Sequence, residues 1–204
     1  RTITLVTADH GESLGEHGEQ THGIFVYDAT LRVPFLLAGP RIPSGVTPAV
    51  VARGVDVMPT LADLAGVDVP AGLDGRSLRP ALNGRSMDDA PAYIEGLVAE
   101  RHLGWAALHG MRTSAWKFID APRQELYDLT ADGAEATNRI DERRDVADAL
   151  RAKLDASRNA QPAGTESTRP DAEATTRLRA LGYLGGRRPD VAQGKPVDGV
   201  QAKR

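Results

Sequence analysis

Residues 2–7 read TITLVT, an unbroken β-branched and apolar run. Such a run predicts a strand buried on both faces, as in a parallel sheet. It ends at Ala8-Asp9-His10-Gly11, and residues 11–23 then carry four glycines and three glutamates, which is loop chemistry. Residues 33–38 (VPFLLA) predict a second buried strand, with Pro34 tolerable only near its start. Asp56 is placed to cap a helix that carries Val57, Leu61 and Leu64 on one face and ends at Gly66. Strand, loop, strand, helix is the order of an α/β fold.

The pattern then changes. Residues 67–91 are rich in Pro, Gly, Asp and Arg and predict a long surface connection. Residues 106–112 and 116–119 predict a hairpin about Thr113-Ser114-Ala115, and residues 125–129 (ELYDL) a third strand. Val146, Leu150 and Leu154, spaced by four, predict one face of a helix. Residues 158–174 are polar and contain proline, as a linker does. Leu178, Leu181 and Leu184 predict a short amphipathic turn ended by Gly185-Gly186, and residues 187–204 predict a disordered tail. The expected organisation is an α/β unit over 1–90, a small antiparallel α+β subdomain over 91–157, and linker and tail over 158–204. No internal repeat is present.

Composition narrows the function. The chain has 204 residues, of which 41% are hydrophobic, so a sizeable core is possible. A formal net charge of -3 gives no electrostatic case for binding nucleic acid or an anionic membrane. No apolar run approaches the length of a membrane span. The absence of cysteine excludes disulfides, zinc-thiolate sites and a thiol nucleophile. Arg1 already stands at the edge of the first strand-like run. The expectation is therefore a piece of a larger protein, with any targeting signal upstream and localisation undetermined.

The candidate chemistry sits at Asp9-His10, with His17 and His22 in the following loop. In open α/β sheets, ligands bind beyond the carboxyl ends of the strands. Asp offers a hard anionic oxygen and His a borderline nitrogen, and both suit a divalent ion. The bland alternative is that Asp9 caps the loop and His10 is only a polar strand end. From chemistry alone the two readings stand level.

The surrounding motifs add more. Thr7-Ala8-Asp9-His10-Gly11-Glu12 is followed by Leu14-Gly15-Glu16, Thr21-His22-Gly23, Tyr27-Asp28 and Leu31-Arg32-Val33-Pro34. Asp56-Val57-Met58-Pro59-Thr60-Leu61 and Leu73-Asp74-Gly75-Arg76-Ser77-Leu78 come next, then Arg112-Thr113, Trp116-Lys117-Phe118 and Glu125-Leu126-Tyr127-Asp128-Leu129. In order and spacing, over about residues 1–157, this series resembles the sulfatase branch of the alkaline phosphatase superfamily. The resemblance implies part of an alkaline-phosphatase-like three-layer α/β sandwich with a mostly parallel sheet, followed by the small antiparallel subdomain. It implies that Asp9 and His10 ligate a divalent metal, calcium by family. An imidazole ligand at His10 makes manganese or zinc the alternative. It places His22 where the family has a Lys or His that contacts the transferred group or a second metal, able to stabilise charge on the transferring oxygens. Glu12 and Arg32 are candidates for supporting that site, with Arg32 expected to pair with Asp28 and brace the loop. His17, His102 and His109 are expected to be loop, surface or core histidines.

The family's nucleophile is a formylglycine made from Cys or Ser in a Cys/Ser-x-Pro-x-Arg motif, or a Ser or Thr in phosphatase relatives. This chain holds no such motif. The resemblance therefore implies a sulfatase acting on a small-molecule or glycan sulfate ester in the full protein, and no turnover by these residues alone. The alternatives are a phosphodiester or phosphonate ester hydrolase, a phosphoethanolamine transferase, or a non-catalytic binding or scaffold protein. A periplasmic or extracellular location is what the family suggests.

Overall fold

A computed structural model of the chain describes residues 2–160 together with 172, 173, 176 and 177. The first strand, β1 (Thr4–Thr7), is followed by a loop containing a 3-10 turn at Glu16–Gly18 and the short helix α1 (Asp28–Leu31). The chain then returns as β2 (Phe35–Ala38), antiparallel to β1, with Thr4 opposite Ala38 and Thr7 opposite Phe35. This corrects the expected parallel, doubly buried strands for the described residues. The pair is a two-stranded sheet, and Val6 and Leu36 are 50% and 62% exposed. An apolar run reports what a strand can bury; its actual burial depends on which neighbours cover it.

A 3-10 turn at Gly54–Asp56 leads into α2 (Val57–Ala65), which ends at Gly66 with φ 76. Left-handed backbone at a helix end favours glycine. The buried face is Pro59, Thr60 and Leu64, rotated from the expected face, and Val57 and Leu61 are only half-buried. Asp56 corrects a second expectation. It stands at the cap position, but its side chain makes no capping bond to α2. Fully buried, it instead accepts from the Arg53 backbone N–H at 2.9 Å, the Arg53 guanidinium at 2.7 Å and the Arg76 N–H at 2.9 Å. It thereby ties the loop 73–76 to the start of α2. Burial alone would raise this carboxyl, but the hydrogen bonds from Arg53 and Arg76 outweigh it and hold it below its ordinary value.

Gly75 completes that junction. A Cβ there would lie 1.8 Å from the Val55 carbonyl oxygen and 2.4 Å from its carbon. No side-chain rotation relieves a backbone clash. Gly75→Ala should therefore destabilise the fold by about 1–3 kcal/mol, read as a lowered urea midpoint. An unchanged midpoint would show that the loop has room to move. The rest of residues 67–91 forms the expected surface connection, broken only by the one-turn α3 (Arg79–Leu82).

The remaining residues build a four-stranded antiparallel meander in the order β3 (Ala92–Gly96), β4 (Leu108–Arg112), β5 (Trp116–Asp120) and β6 (Glu125–Asp128). The hairpin and third strand agree with the sequence reading. β3 and the helix α4 (Val98–Leu103) were not foreseen. Strand alternation gives the sheet two faces. On one, Met111, Phe118 and Leu126 pack against Ala147, Leu150 and Leu154 of α5 (Arg144–Ala160). On the other, Ile94, Leu108, Ile119 and Tyr127 pack against Phe25, Val26 and Tyr27 of the loop after β1. The meander is thus the floor on which that loop rests.

The chain is mixed α/β with antiparallel sheets. α5 runs to Ala160, three residues into the expected linker. The turn expected over Leu178 to Gly186 and the tail over 187–204 lie outside the described residues. Among the described residues no helix is long and apolar enough to cross a membrane.

Candidate functional site

The loop between β1 and α1 is held from inside. Gly11 donates its N–H to the Thr30 carbonyl at 2.7 Å, and a Cβ on Gly11 would stand 2.7 Å from the Ala29 oxygen. Only glycine lets the end of β1 lie this close to α1. Buried Ser13 donates its hydroxyl to the Glu19 carbonyl at 2.9 Å, and its N–H goes to Thr21 O at 2.9 Å. The buried Glu19 carboxylate accepts from the N–H groups of Ile24 at 2.8 Å and Phe25 at 3.1 Å. The segment bearing His22 is therefore pinned on both sides.

These pins gather Asp9, His10, Glu12 and His22 on one exposed face. His10 Nδ1 lies 2.9 Å from the Gly11 carbonyl. A carbonyl only accepts, so Nδ1 is the donor of that contact and Nε2 is the ring nitrogen left to face a ligand. Asp9 uses Oδ1 to accept the His10 N–H at 3.1 Å, and its Oδ2 stands 3.9 Å from His10 Nε2. The His22 ring stacks on His10 with centroids 3.9 Å apart and planes at 27°. Its Nδ1 is 3.2 Å from both Glu12 carboxylate oxygens.

The donor chemistry of Asp9 and His10, one anionic oxygen and one imidazole nitrogen, fits a divalent ion. It is half a donor set: among the described residues, no group of three or more His, Cys, Asp or Glu side chains is arranged to hold an ion.

The other predicted residues fall elsewhere. Asp28 does not pair with Arg32, whose side chain is exposed; it binds Arg112 at 3.1 Å and Lys117 at 2.8 Å. Two cations from the meander outcompete one on an exposed side chain, because the pair forms in a largely buried place where charge must be matched. His17 stacks on Tyr27 at 3.6 Å, and its Nε2 lies 3.1 Å from the Ala134 carbonyl, a bracing role. His102 is exposed on α4. His109 on β4 meets the Tyr93 hydroxyl at 3.2 Å.

Sequence reasoning missed the network under the loop. Lys117 is fully buried, with Nζ 2.8 Å from Asp28 Oδ1 and 2.7 Å from Glu135 Oε1. Glu135 also accepts the Asp28 N–H at 2.6 Å. Burial alone would raise the Asp28 carboxyl; the charge of Lys117 and the hydrogen bonds from Arg112 and Lys117 outweigh it and hold it below its ordinary value. Nearby, buried Glu125 accepts from the hydroxyls of Tyr27 at 2.9 Å and Tyr127 at 2.7 Å. Burial first, then the charge of Glu125, pushes both phenols well above their ordinary value. The one signal for Lys117 was a lone charge inside the apolar strand WKFI.

Comparison with known proteins fits this architecture. Residues 15–160 match the family model described as N-sulphoglucosamine sulphohydrolase, C-terminal. The chain is 33% identical over 147 residues to the Delta 4,5-hexuronate-2-O-sulfatase of Bacteroides thetaiotaomicron, covering 67% of this chain and 30% of that protein. It is 38% identical over 144 residues to the choline-sulfatase of Rhizobium meliloti, covering 67% of this chain and 27% of that protein. It thus spans less than a third of the length of either relative. Among solved structures, the phosphonate monoester hydrolase of Agrobacterium radiobacter superposes with a TM-score of 0.58 at 27% identity, covering 77% of this chain and 35% of that one. The chain belongs to the sulfatase family of the alkaline phosphatase superfamily and corresponds to a C-terminal portion of it.

Proposed function

We propose that the full-length protein hydrolyses sulfate esters and that this chain supplies part of the pocket that holds the ester. The observation carrying the proposal is the grouping of Asp9, His10 and His22 at the end of β1, with the two imidazole rings stacked at 3.9 Å. The substrate class is a small-molecule or glycan sulfate ester, in keeping with the sulfatase relatives.

Asp9, through its oxygen free of the backbone, and His10, through Nε2, would hold a divalent ion. When bound, such an ion polarises the ester oxygen and offsets its growing charge. Calcium is the expectation from the family; the nitrogen donor of His10 makes manganese or zinc the alternative. His22 has its Nδ1 occupied by Glu12, so Nε2 is the polar atom left to meet the oxygens of the transferred group. The covalent step requires a nucleophile. The chain holds no Cys/Ser-x-Pro-x-Arg motif, so that step would fall to a residue outside it, and these 204 residues alone should not turn over substrate.

A second reading, phosphonate or phosphodiester hydrolysis, is favoured by the nitrogen donor of His10 and by the likeness to a phosphonate monoester hydrolase. The test compares kcat/KM of the full-length protein for 4-nitrophenyl sulfate and for a 4-nitrophenyl phosphonate, with calcium, manganese or zinc. The sulfate ester should be preferred. Preference for the phosphonate would replace sulfate hydrolysis with the second reading, and turnover of neither ester with any ion would point to a non-catalytic homologue.

A further inference from the structure

We propose that Glu12 is a positioning residue for His22, fixing the imidazole so that Nε2 is the edge offered to substrate; this deepens, and rests on, the role proposed for His22. Nδ1 of His22 stands 3.2 Å from both oxygens of Glu12. A carboxylate at this distance only accepts, so the Nδ1 proton is committed to it. The opposite constraint comes from His10, whose ring covers one face of His22 at 3.9 Å. One contact fixes an edge and the other a face, which together leave the ring little freedom about either side-chain torsion.

The support for Glu12 is itself rigid. Glu12 follows Gly11, whose N–H is bound to Thr30 at 2.7 Å and whose α-carbon has no room for a side chain. It precedes Ser13, which is buried and bonded to Glu19 and Thr21. Glu12 is thus the exposed residue between two anchored ones, while its side chain, 52% exposed, adds nothing to a core. An exposed Glu–His pair contributes little to stability. Its consequence is geometric: a carboxylate that orients a functional imidazole is commonly felt as about 10–100-fold in activity.

The experiment measures kcat and KM for a sulfate ester with the full-length wild type, Glu12→Ala, Glu12→Gln, His22→Ala and the double variant Glu12→Ala/His22→Ala, alongside their melting temperatures. Glu12→Ala should lower kcat by about 10–100-fold with KM and melting temperature little changed. Glu12→Gln, whose amide oxygen still accepts from Nδ1, should recover most of the loss. In the His22→Ala background, Glu12→Ala should cost nothing further. Wild-type kcat in Glu12→Ala, a loss that persists undiminished without His22, or a loss that only follows a lowered melting temperature would overturn the proposal. Unimpaired His22→Ala would instead remove the role of His22 itself, and with it this dependent one.

Discussion

Replacing Lys117 with Met should lower the stability of the protein by about 3–5 kcal/mol. Met keeps most of the side-chain volume, so the loss is one of charge. The ammonium is fully buried between Asp28 at 2.8 Å and Glu135 at 2.7 Å. Without it Asp28 keeps Arg112 at 3.1 Å, but Glu135, 2% exposed, is left with the Asp28 N–H as its hydrogen-bond donor. Removing one partner of a buried ion pair leaves the other charge buried and uncompensated. Urea unfolding of the full-length protein reads the effect. An exposed pair such as Arg144–Asp141 is the control: Arg144→Ala should leave the midpoint where it was.

Acid gives the same network a sign. The Asp28 carboxyl is depressed below its ordinary 3.8, so it binds its proton less readily folded than unfolded. Its contribution to stability is present above 3.8 and is lost as pH falls through the lower folded value. Asp56, also depressed, adds in the same direction. Wild-type stability should therefore drop on acidification through this range. The deficit of Lys117→Met should be largest near neutrality and shrink in acid, as Asp28 loses the charge that Lys117 matches. A deficit that grows in acid would contradict the charge argument and assign the effect to packing.

The second large effect is on turnover. His22→Ala should lower kcat for sulfate-ester hydrolysis by about 10²–10³, the range for removing one group that stabilises transition-state charge. KM should change far less, because the contact strengthens as charge develops. The fold should be unaffected, since the ring is 42% exposed and rests on His10 rather than in a core. Parallel kcat, KM and melting measurements test this. A rise in KM with kcat intact would make His22 a binding residue only.

What the sequence showed, and what it hid, follows from the range of each interaction. The β4–β5 hairpin, β6 and α5 were legible because alternation and four-residue spacing are local signals. The burial of β1 was not, since TITLVT states a preference and the neighbours decide the outcome. Asp56 shows a subtler ambiguity: the same residue before the same helix serves a cap or a buried junction, and Arg53 together with Arg76, 20 residues on, decides. Lys117 was hidden for a related reason. Alternation places it on the face of Ile119, its charge argues for solvent, and the partner that resolves the conflict lies 89 residues away. At the candidate site, Asp9 and His10 stood out by type and position. The pairing of Glu12 with His22 depends on how the loop folds back, and loop glycines permit many such paths.

The most direct test of the central claim is metal binding by Asp9. Metal-stripped full-length protein and its Asp9→Ala variant are titrated calorimetrically with calcium, manganese and zinc, and each mixture is assayed on a sulfate ester. One of these ions should bind the wild type and restore turnover. In Asp9→Ala affinity should fall by more than the roughly 10–100-fold typical of residues that only support ligands, and turnover should fall with it. An Asp9→Ala protein that binds the activating ion as tightly as the wild type and turns over the ester at the same rate would contradict it.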